Sequence, residues 1–242
     1  MSTLYLSRAR LRAGHERLGP LLFPSDPAHR MGATHRLVWA MFPRDLTERP
    51  FLYRETSPSH AAGPATRSEL MVLSKLPPND AEGLFELETK PFAPILPVGQ
   101  RLRFSLRANP TAQKSEIAAD GKRKSRRYDV VMTALKKLDQ VERVAARPRL
   151  IQQEGRAWLQ RQSESAGFSL PELAEVNIDG YEQFDVDPEG RRAIRAKRAV
   201  HSRLDFDGLL EVTDPVLFLS RLAEGFGRAR AFGHGLMLIR RA

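Results

Sequence analysis

His35 is the residue of this chain best placed to move a proton. It stands in the run His35-Arg36-Leu37-Val38-Trp39-Ala40-Met41-Phe42-Pro43. The three- and four-residue spacing of Leu37, Val38, Met41 and Phe42 predicts a helix from about Ala28 to Phe42, ended by Pro43. His35 and Trp39 are four apart and share one flank of that helix, and Arg36 adds charge beside them. An imidazole can act near neutral pH as general base or as general acid, and the residues do not choose between the two. His29, near the helix start, is the second choice. His234 sits in a turn that many residue types would tolerate. The remaining histidines, His15, His60 and His201, are scattered. No His-Glu-x-x-His or similar cluster suggests a metal, and the chain has no cysteine for thiolate ligands or disulfides. Asp205 and Asp207 share a strand face but read as the solvated end of a strand before Gly208. A Gly-x-Ser-x-Gly elbow is missing as well. The chemistry expected is acid–base work by an imidazole, with no metal and no cofactor.

The second feature is cationic. Gly225-Phe226-Gly227-Arg228-Ala229-Arg230-Ala231-Phe232-Gly233-His234-Gly235 places four glycines and two arginines in eleven residues, and no carboxylate follows Glu224. Such a backbone can lie close to a ligand, and its charge suits a polyanion. It feeds the apolar run Leu236 to Ile239, which reads as a buried strand, so it is neither a phosphate loop nor a dinucleotide fingerprint, both of which open helices. Arg103, Arg107, Lys122, Arg123, Lys124, Arg126 and Arg127 supply more positive charge from two other segments. Residues 114–149 alone carry eleven Lys and Arg against five acids. Over the whole chain the net charge is +10 and the pI about 10.4. That surplus favours nucleic acid, and convergence of these groups would neutralise several phosphates. No apolar stretch approaches the ~20 residues that span a membrane. Met1 to Leu6 lacks the basic start and long apolar core of a signal peptide, so a cytoplasmic protein is expected.

These groups need a scaffold. Leu4–Leu11 alternates as a strand, the helix of His35 follows, and Phe51–Glu55 and Leu70–Ser74 read as strands. A short helical turn is expected from Pro77, and Leu84–Glu88 alternates again. The order is βαββαβ, the ferredoxin-like arrangement. Pro91, Pro94, Pro97 and Gly99 mark a boundary. A second unit begins with Arg101–Arg107. Helices are expected from Val130 to Ala146, from Ile151 to Ala166 and from Asp214 to Glu224. Strands are expected at Val176–Ile178, Ala199–Phe206, Leu209–Val212 and Leu236–Ile239. The fold class is therefore α+β with two tandem ferredoxin-like domains: residues 1–95 carry the histidine, and residues 100–242 carry the basic insertion and the glycine-rich loop of Gly225, Gly227, Gly233 and Gly235.

Together these pieces resemble the CasE endoribonucleases of type I-E CRISPR systems. The resemblance rests on Leu4-Tyr5-Leu6-Ser7-Arg8, the run from His35 to Pro43, Phe51-Leu52-Tyr53-Arg54, Phe104-Ser105-Leu106-Arg107-Ala108-Asn109-Pro110, Trp158-Leu159, Val212-Thr213-Asp214 and the closing glycine loop with its strand. These segments stand in the family's order along nearly the whole chain. The resemblance implies a metal-independent enzyme that binds the repeat stem-loop of precursor CRISPR RNA and cuts once at its 3′ base. It implies His35 as the catalytic residue, retention of the product, and docking with subunits of the type I-E interference (Cascade) complex. RNA contacts are expected from Arg36, Arg103, Arg107, Lys122, Arg123, Lys124, Arg126, Arg127, Arg228 and Arg230. Some relatives carry an assisting tyrosine three residues before the histidine, where this chain has Gly32. A non-catalytic RNA-binding subunit of the same fold is the alternative.

Overall fold

The computed structural model describes residues 3–12, 14–56, 69–117, 123–172, 175–186 and 199–242. Four antiparallel strands form the first sheet: β1 (Leu4–Leu11), β2 (Phe51–Thr56), β3 (Glu69–Ser74) and β4 (Phe85–Phe92), in the order β2-β3-β1-β4. A single turn, α1 (Gly19–Leu22), precedes the main helix α2 (Pro27–Trp39). Asp26 starts α2 because its carboxylate accepts from the His29 backbone N–H at 2.8 Å, and Pro27 has no N–H to strand in the first turn. Val38, Met41 and Phe42 pack onto Ala9, Phe51, Tyr53, Leu70 and Val72, the alternate residues of the strands beneath. The expected helical turn after Pro77 does not form: residues 75–84 connect β3 to β4 as bends and turns. The first unit is thus a ferredoxin-like fold with its second helix missing. The Asp80 carboxylate holds this connection by accepting from the Phe85 N–H at 2.7 Å.

The second sheet is built from β5 (Arg101–Ala108), β8 (Phe168–Ser169), β9 (Asn177–Val186), β10 (Ala199–Val212) and β11 (Met237–Arg241). Their order is β11-β5-β10-β8, with β9 also paired to β10. Helices α4 (Gln140–Ser163) and α5 (Pro215–Glu224) supply its core, where Trp158, Leu159, Phe218 and Leu222 meet Phe104, Leu106, Phe206 and Leu210. Three details differ from the sequence expectation. Residues 114–149 include a hairpin, β6 (Thr111–Ile117) with β7 (Arg123–Asp129), followed by the short α3 (Val130–Leu135). Its strands are mostly polar, with only Ala112, Ile117 and Tyr128 to break the run, so no alternation announces them. Second, α4 restarts at Asp139 with a capping box to Glu142 and runs through Pro148. Proline removes the partner of the Val144 carbonyl, and water can replace it because Val144 is 77% exposed. Third, β10 does not break at Gly208. A Cβ there would lie 3.1 Å from Val176 and 3.2 Å from Phe104, so this glycine serves close packing inside a continuous strand.

The two sheets meet through Leu52 and Leu73 on one side and Leu236 on the other, all buried. Each such side chain stabilises the junction by about 2 kcal/mol. Polar clamps extend the contact. Arg54 of β2 donates to Ser105 Oγ of β5 at 2.8 Å, and Arg107 of β5 donates to the Glu55 carbonyl at 3.2 Å. No helix among the described residues is long and apolar enough to cross a membrane.

Candidate active site between α2 and the glycine loop

His35 projects from the last turns of α2 into a box of rings: Trp39, Phe51, Tyr53 and Phe232 have centroids 6.3, 6.3, 6.4 and 6.4 Å away. Phe232 comes from the glycine loop, so the structure brings the predicted histidine and the predicted loop into contact. The four-residue spacing noted in sequence becomes a hydrogen bond: the Trp39 indole donates to His35 Nε2 at 3.1 Å. His35 Nδ1 is buried without a partner among the described residues. Burial lowers the pKa of His35, and the positive charges of Arg49 and Arg36 lower it further. The ring is therefore neutral around pH 7.

One cation beside the ring carries no mark in the sequence. Arg49, in the segment leading into β2, is half-buried, lies with its guanidinium 6.0 Å from the Phe51 ring centroid, and has no ion-pair partner among the described residues. Its pKa is lowered by burial and by the neighbouring Arg230. No spacing points to Arg49. Arg230 is half-buried and donates from Nε to the Gly227 carbonyl at 3.1 Å. Arg228 and Arg36 are exposed and have no carboxylate partner among the described residues.

The glycine loop is shaped by the protein itself. Gly225, Gly227, Gly233 and Gly235 all have positive φ, from 67° to 88°. A Cβ on Gly227 would meet the Asn109 carbonyl and Trp158 at 3.0 Å, and one on Gly235 would lie 2.6 Å from the Phe226 carbonyl. The close approach expected toward a ligand is thus made toward Leu52, Tyr53, Asn109 and Phe226, all parts of the fold. Phe226 N–H donates to the Gly235 carbonyl at 2.9 Å, and Gly235 N–H to the Arg107 carbonyl at 2.7 Å, which ties the loop to β5. Tyr53 braces it from the other unit, its hydroxyl donating to the Ala231 carbonyl at 3.0 Å. Burial pushes the Tyr53 pKa up, so it stays a phenol.

The other predicted residues separate into groups. Arg107 does not point freely into solvent. It forms a paired contact with the Asp205 carboxylate at 2.8 and 3.1 Å, with Arg54 3.9 Å from the same group, so it is a clamp between the sheets. Asp205, expected as a solvated strand end, is that clamp's acceptor. Arg103 is exposed on β5, in register with Arg240 of β11, away from the histidine box. Arg126 and Arg127 are exposed on β7, with Lys114 opposite Arg126. Arg123 and Lys124 lie in the same strand by their backbone, and Lys122 is outside the described residues. The root of this hairpin reaches the glycine loop through a bridge between Asn109 and Arg228.

His29 stays at the start of α2, its Nδ1 3.2 Å from the Asp26 carboxylate, in a capping role. His234 is not a tolerant turn position: it is 2% exposed, stacks on Phe184 at 5.7 Å and has its pKa pushed down to about 3 by burial. His201, only a scattered histidine in sequence, lies 5.7 Å from Phe232 and 3.2 Å from Asn109 Nδ2. A cleft of about 370 Å³ opens beside these groups, lined by Arg30, Tyr53, Arg107, Arg203 and Phe232 among others. Arg30, Arg107 and Arg203 are paired there with Glu55, Asp205 and Glu182, so the cleft floor is largely neutralised. Outside that lining, Arg36 and Arg49 act on His35, Arg230 on Arg49 and Arg228 on His201, and none of the four has an ion-pair partner among the described residues.

Residues 4–241 match the family model described as CRISPR associated protein. The CRISPR-associated endoribonuclease Cse3 of Thermus thermophilus is 31% identical over 210 residues, which cover 84% of this chain and 79% of that protein. A structure of CRISPR endoribonuclease Cse3 bound to 19 nt RNA superposes with a TM-score of 0.62 at 29% identity, over 98% of this chain and 99% of that one. The crystal structure of Cas6e from Escherichia coli str. K-12 covers 98% of this chain and 100% of its own, with a TM-score of 0.59 at 20% identity, and shows the shared fold alone.

Proposed function

The chain belongs to the CRISPR-associated protein family as a CasE-type (Cse3) member, and from that premise we propose that it is the endoribonuclease that processes precursor CRISPR RNA, cutting once at the 3′ base of the repeat stem-loop. One observation carries the site: a neutral imidazole, His35, held against the glycine loop with unpaired guanidinium groups around it. RNA supplies its own nucleophile, the 2′-hydroxyl. The protein has to align that oxygen with the adjacent phosphate, move one proton and offset the charge on the phosphorane. Alignment contributes several kcal/mol, and proton transfer through His35 about 100- to 10,000-fold in rate. Arg49, Arg228 and Arg230 offset the developing charge. The products are a 2′,3′-cyclic phosphate and a 5′-hydroxyl, formed without a metal ion.

In this reading residues 1–95 provide the imidazole and residues 100–242 grip the stem. Arg126 and Arg127 on the hairpin, with Lys122, Arg123 and Lys124, follow the RNA backbone, and Arg36, Arg228 and Arg230 surround the cut. Arg103, on the open face of the second sheet, extends the track. The protein keeps its product and joins the subunits of the type I-E interference (Cascade) complex in the cytoplasm.

The deciding experiment maps the termini left on an end-labelled repeat hairpin. His35→Ala is expected to bind the hairpin and leave it uncut, a 2′-deoxy nucleotide at the cut is expected to block the reaction, and EDTA is expected to leave it unchanged. Cleavage by His35→Ala at the wild-type rate, or cleavage of the deoxy substrate that EDTA stops, would refute the reading.

A further inference from the structure

We propose that Trp39 is a positioning residue: its indole N–H occupies, in the free protein, the Nε2 lone pair of His35 that the substrate 2′-hydroxyl takes over, and so presets His35 as the general base. The inference rests on the reading above that His35 moves the proton.

An indole nitrogen only donates. The 3.1 Å contact from Trp39 Nε1 therefore makes Nε2 the acceptor and leaves the ring proton on Nδ1. That nitrogen is buried and, among the described residues, has no partner to pull the proton elsewhere. The indole approaches edge-on, with the two ring planes 88° apart. The charges that act on the imidazole, Arg49 and Arg36, oppose its protonation. Arg36 comes from α2 and Arg49 from the segment before β2; Arg230 of the glycine loop acts on Arg49, and Tyr53 of β2 offers a phenol already bonded to the Ala231 carbonyl. No carboxylate among the described residues bonds the ring.

A ribose hydroxyl is also a donor, so it can replace the indole at Nε2 without changing the tautomer. The step then balances. His35 Nε2 takes the 2′-hydroxyl proton, the 2′-oxygen bonds to phosphorus, and the bond from phosphorus to the 5′-oxygen breaks. The leaving oxygen takes a proton from water, and the imidazolium returns its Nε2 proton to water. Trp39 takes no proton and forms no bond to the RNA; its indole leaves Nε2 when the hydroxyl takes that place. It keeps the lone pair pointed and unprotonated until the hydroxyl arrives.

Trp39→Phe keeps an aromatic ring in the box and removes the donor. Because the indole bonds only the neutral imidazole, its loss raises the midpoint of His35. A neutral hydrogen bond of ordinary strength corresponds to roughly half to one pH unit. The expected result is an upward move of that size in two places: the His35 ring proton titration followed by NMR in the RNA-free protein, and the acidic limb of single-turnover hairpin cleavage. An unmoved midpoint in a folded Trp39→Phe protein overturns the proposal. If that variant does not fold, the wild-type Trp39 indole N–H resonance decides. It should shift with the same midpoint as the His35 ring protons, and an indole signal indifferent to that titration overturns the proposal. His35→Ala separates the two levels: unimpaired cleavage there removes the functional reading, whereas a dead His35→Ala with an unshifted Trp39→Phe removes only this inference.

Discussion

Gly235→Ala tests whether the glycine loop is built by close approach to the fold. Gly235 has φ of 88° and N–H and C=O bonds to Arg107 and Phe226. An alanine there meets two penalties. The backbone conformation costs about 1–2 kcal/mol for a residue with a Cβ. The new Cβ would also stand 2.6 Å from the Phe226 carbonyl oxygen, a contact that backbone must yield to. Moving the loop aside stretches both hydrogen bonds, at about 1 kcal/mol each. The total is about 3–4 kcal/mol, a large part of the ~5–15 kcal/mol that holds a domain folded. Gly99→Ala is the matched control: φ is 82°, but a Cβ there has nothing within 4 Å. It should cost only the conformational part. Urea unfolding followed by far-UV circular dichroism, with equal m-values, reads both. Cleavage should fall in Gly235→Ala as well, because the same loop sets Phe232 beside His35 and Arg230 near Arg49. If Gly235→Ala is no less stable than Gly99→Ala, the packing argument for this loop is wrong.

Replacing Arg228 and Arg230 together with alanine should weaken hairpin binding and reduce the slope of log K against log salt by about one to two, measured by filter binding across a salt series; an unchanged slope would place the loop away from phosphate. Asp205→Asn leaves Arg107 and Arg54 facing each other without their shared charge and should destabilise the protein by about 3 kcal/mol in urea unfolding, whereas a loss below about 1 kcal/mol would show that the clamp contributes little. Acid should unfold the protein through His234. Its folded pKa of about 3 lies below the ordinary 6.5, so the unfolded chain binds the extra proton first. The stability that this neutral ring contributes is complete above pH 6.5 and is lost at about 1.4 kcal/mol per unit as pH falls toward 3. His234→Phe should flatten that stretch of the stability profile, and an unchanged profile would assign acid sensitivity to other groups.

Much of the architecture is legible in the chain because apolar residues repeat with the period of the element they build. Leu102, Phe104 and Leu106 alternate, and Leu37, Val38, Met41 and Phe42 recur at helical spacing, so β5 and α2 are both foreseen, although α2 ends at Trp39 and Met41 and Phe42 pack from the turn after it. Where that signal is absent the reading fails: the β6–β7 hairpin has no apolar face, and Gly208 looks like a turn although it serves packing within a strand. The helical turn expected from Pro77-Pro78-Asn79-Asp80 rested on those four residues without an apolar repeat behind them, and Asp80 holds an irregular connection instead. For the site, residue type and helix spacing already single out His35 with Trp39 and the arginines of the glycine loop, since all three are local features. The indole–imidazole bond needs only one helix.

What no local pattern contains is the way charges and rings from distant segments meet. Asp205 lies 98 residues from Arg107 in sequence, and Tyr53 lies 178 from Ala231. Whether Arg107 is free for phosphate or bound to a carboxylate depends on the register of β5 against β10, which sets Asp205 directly opposite it. Whether His234 is a casual turn residue or a buried neutral ring depends on Phe184 covering it. The chain by itself determined the elements, the surplus of positive charge and an imidazole on a helix. Only the packing of the two sheets decided which cations stay unpaired beside that imidazole, because pairing and desolvation are properties of neighbours that sequence order does not bring together.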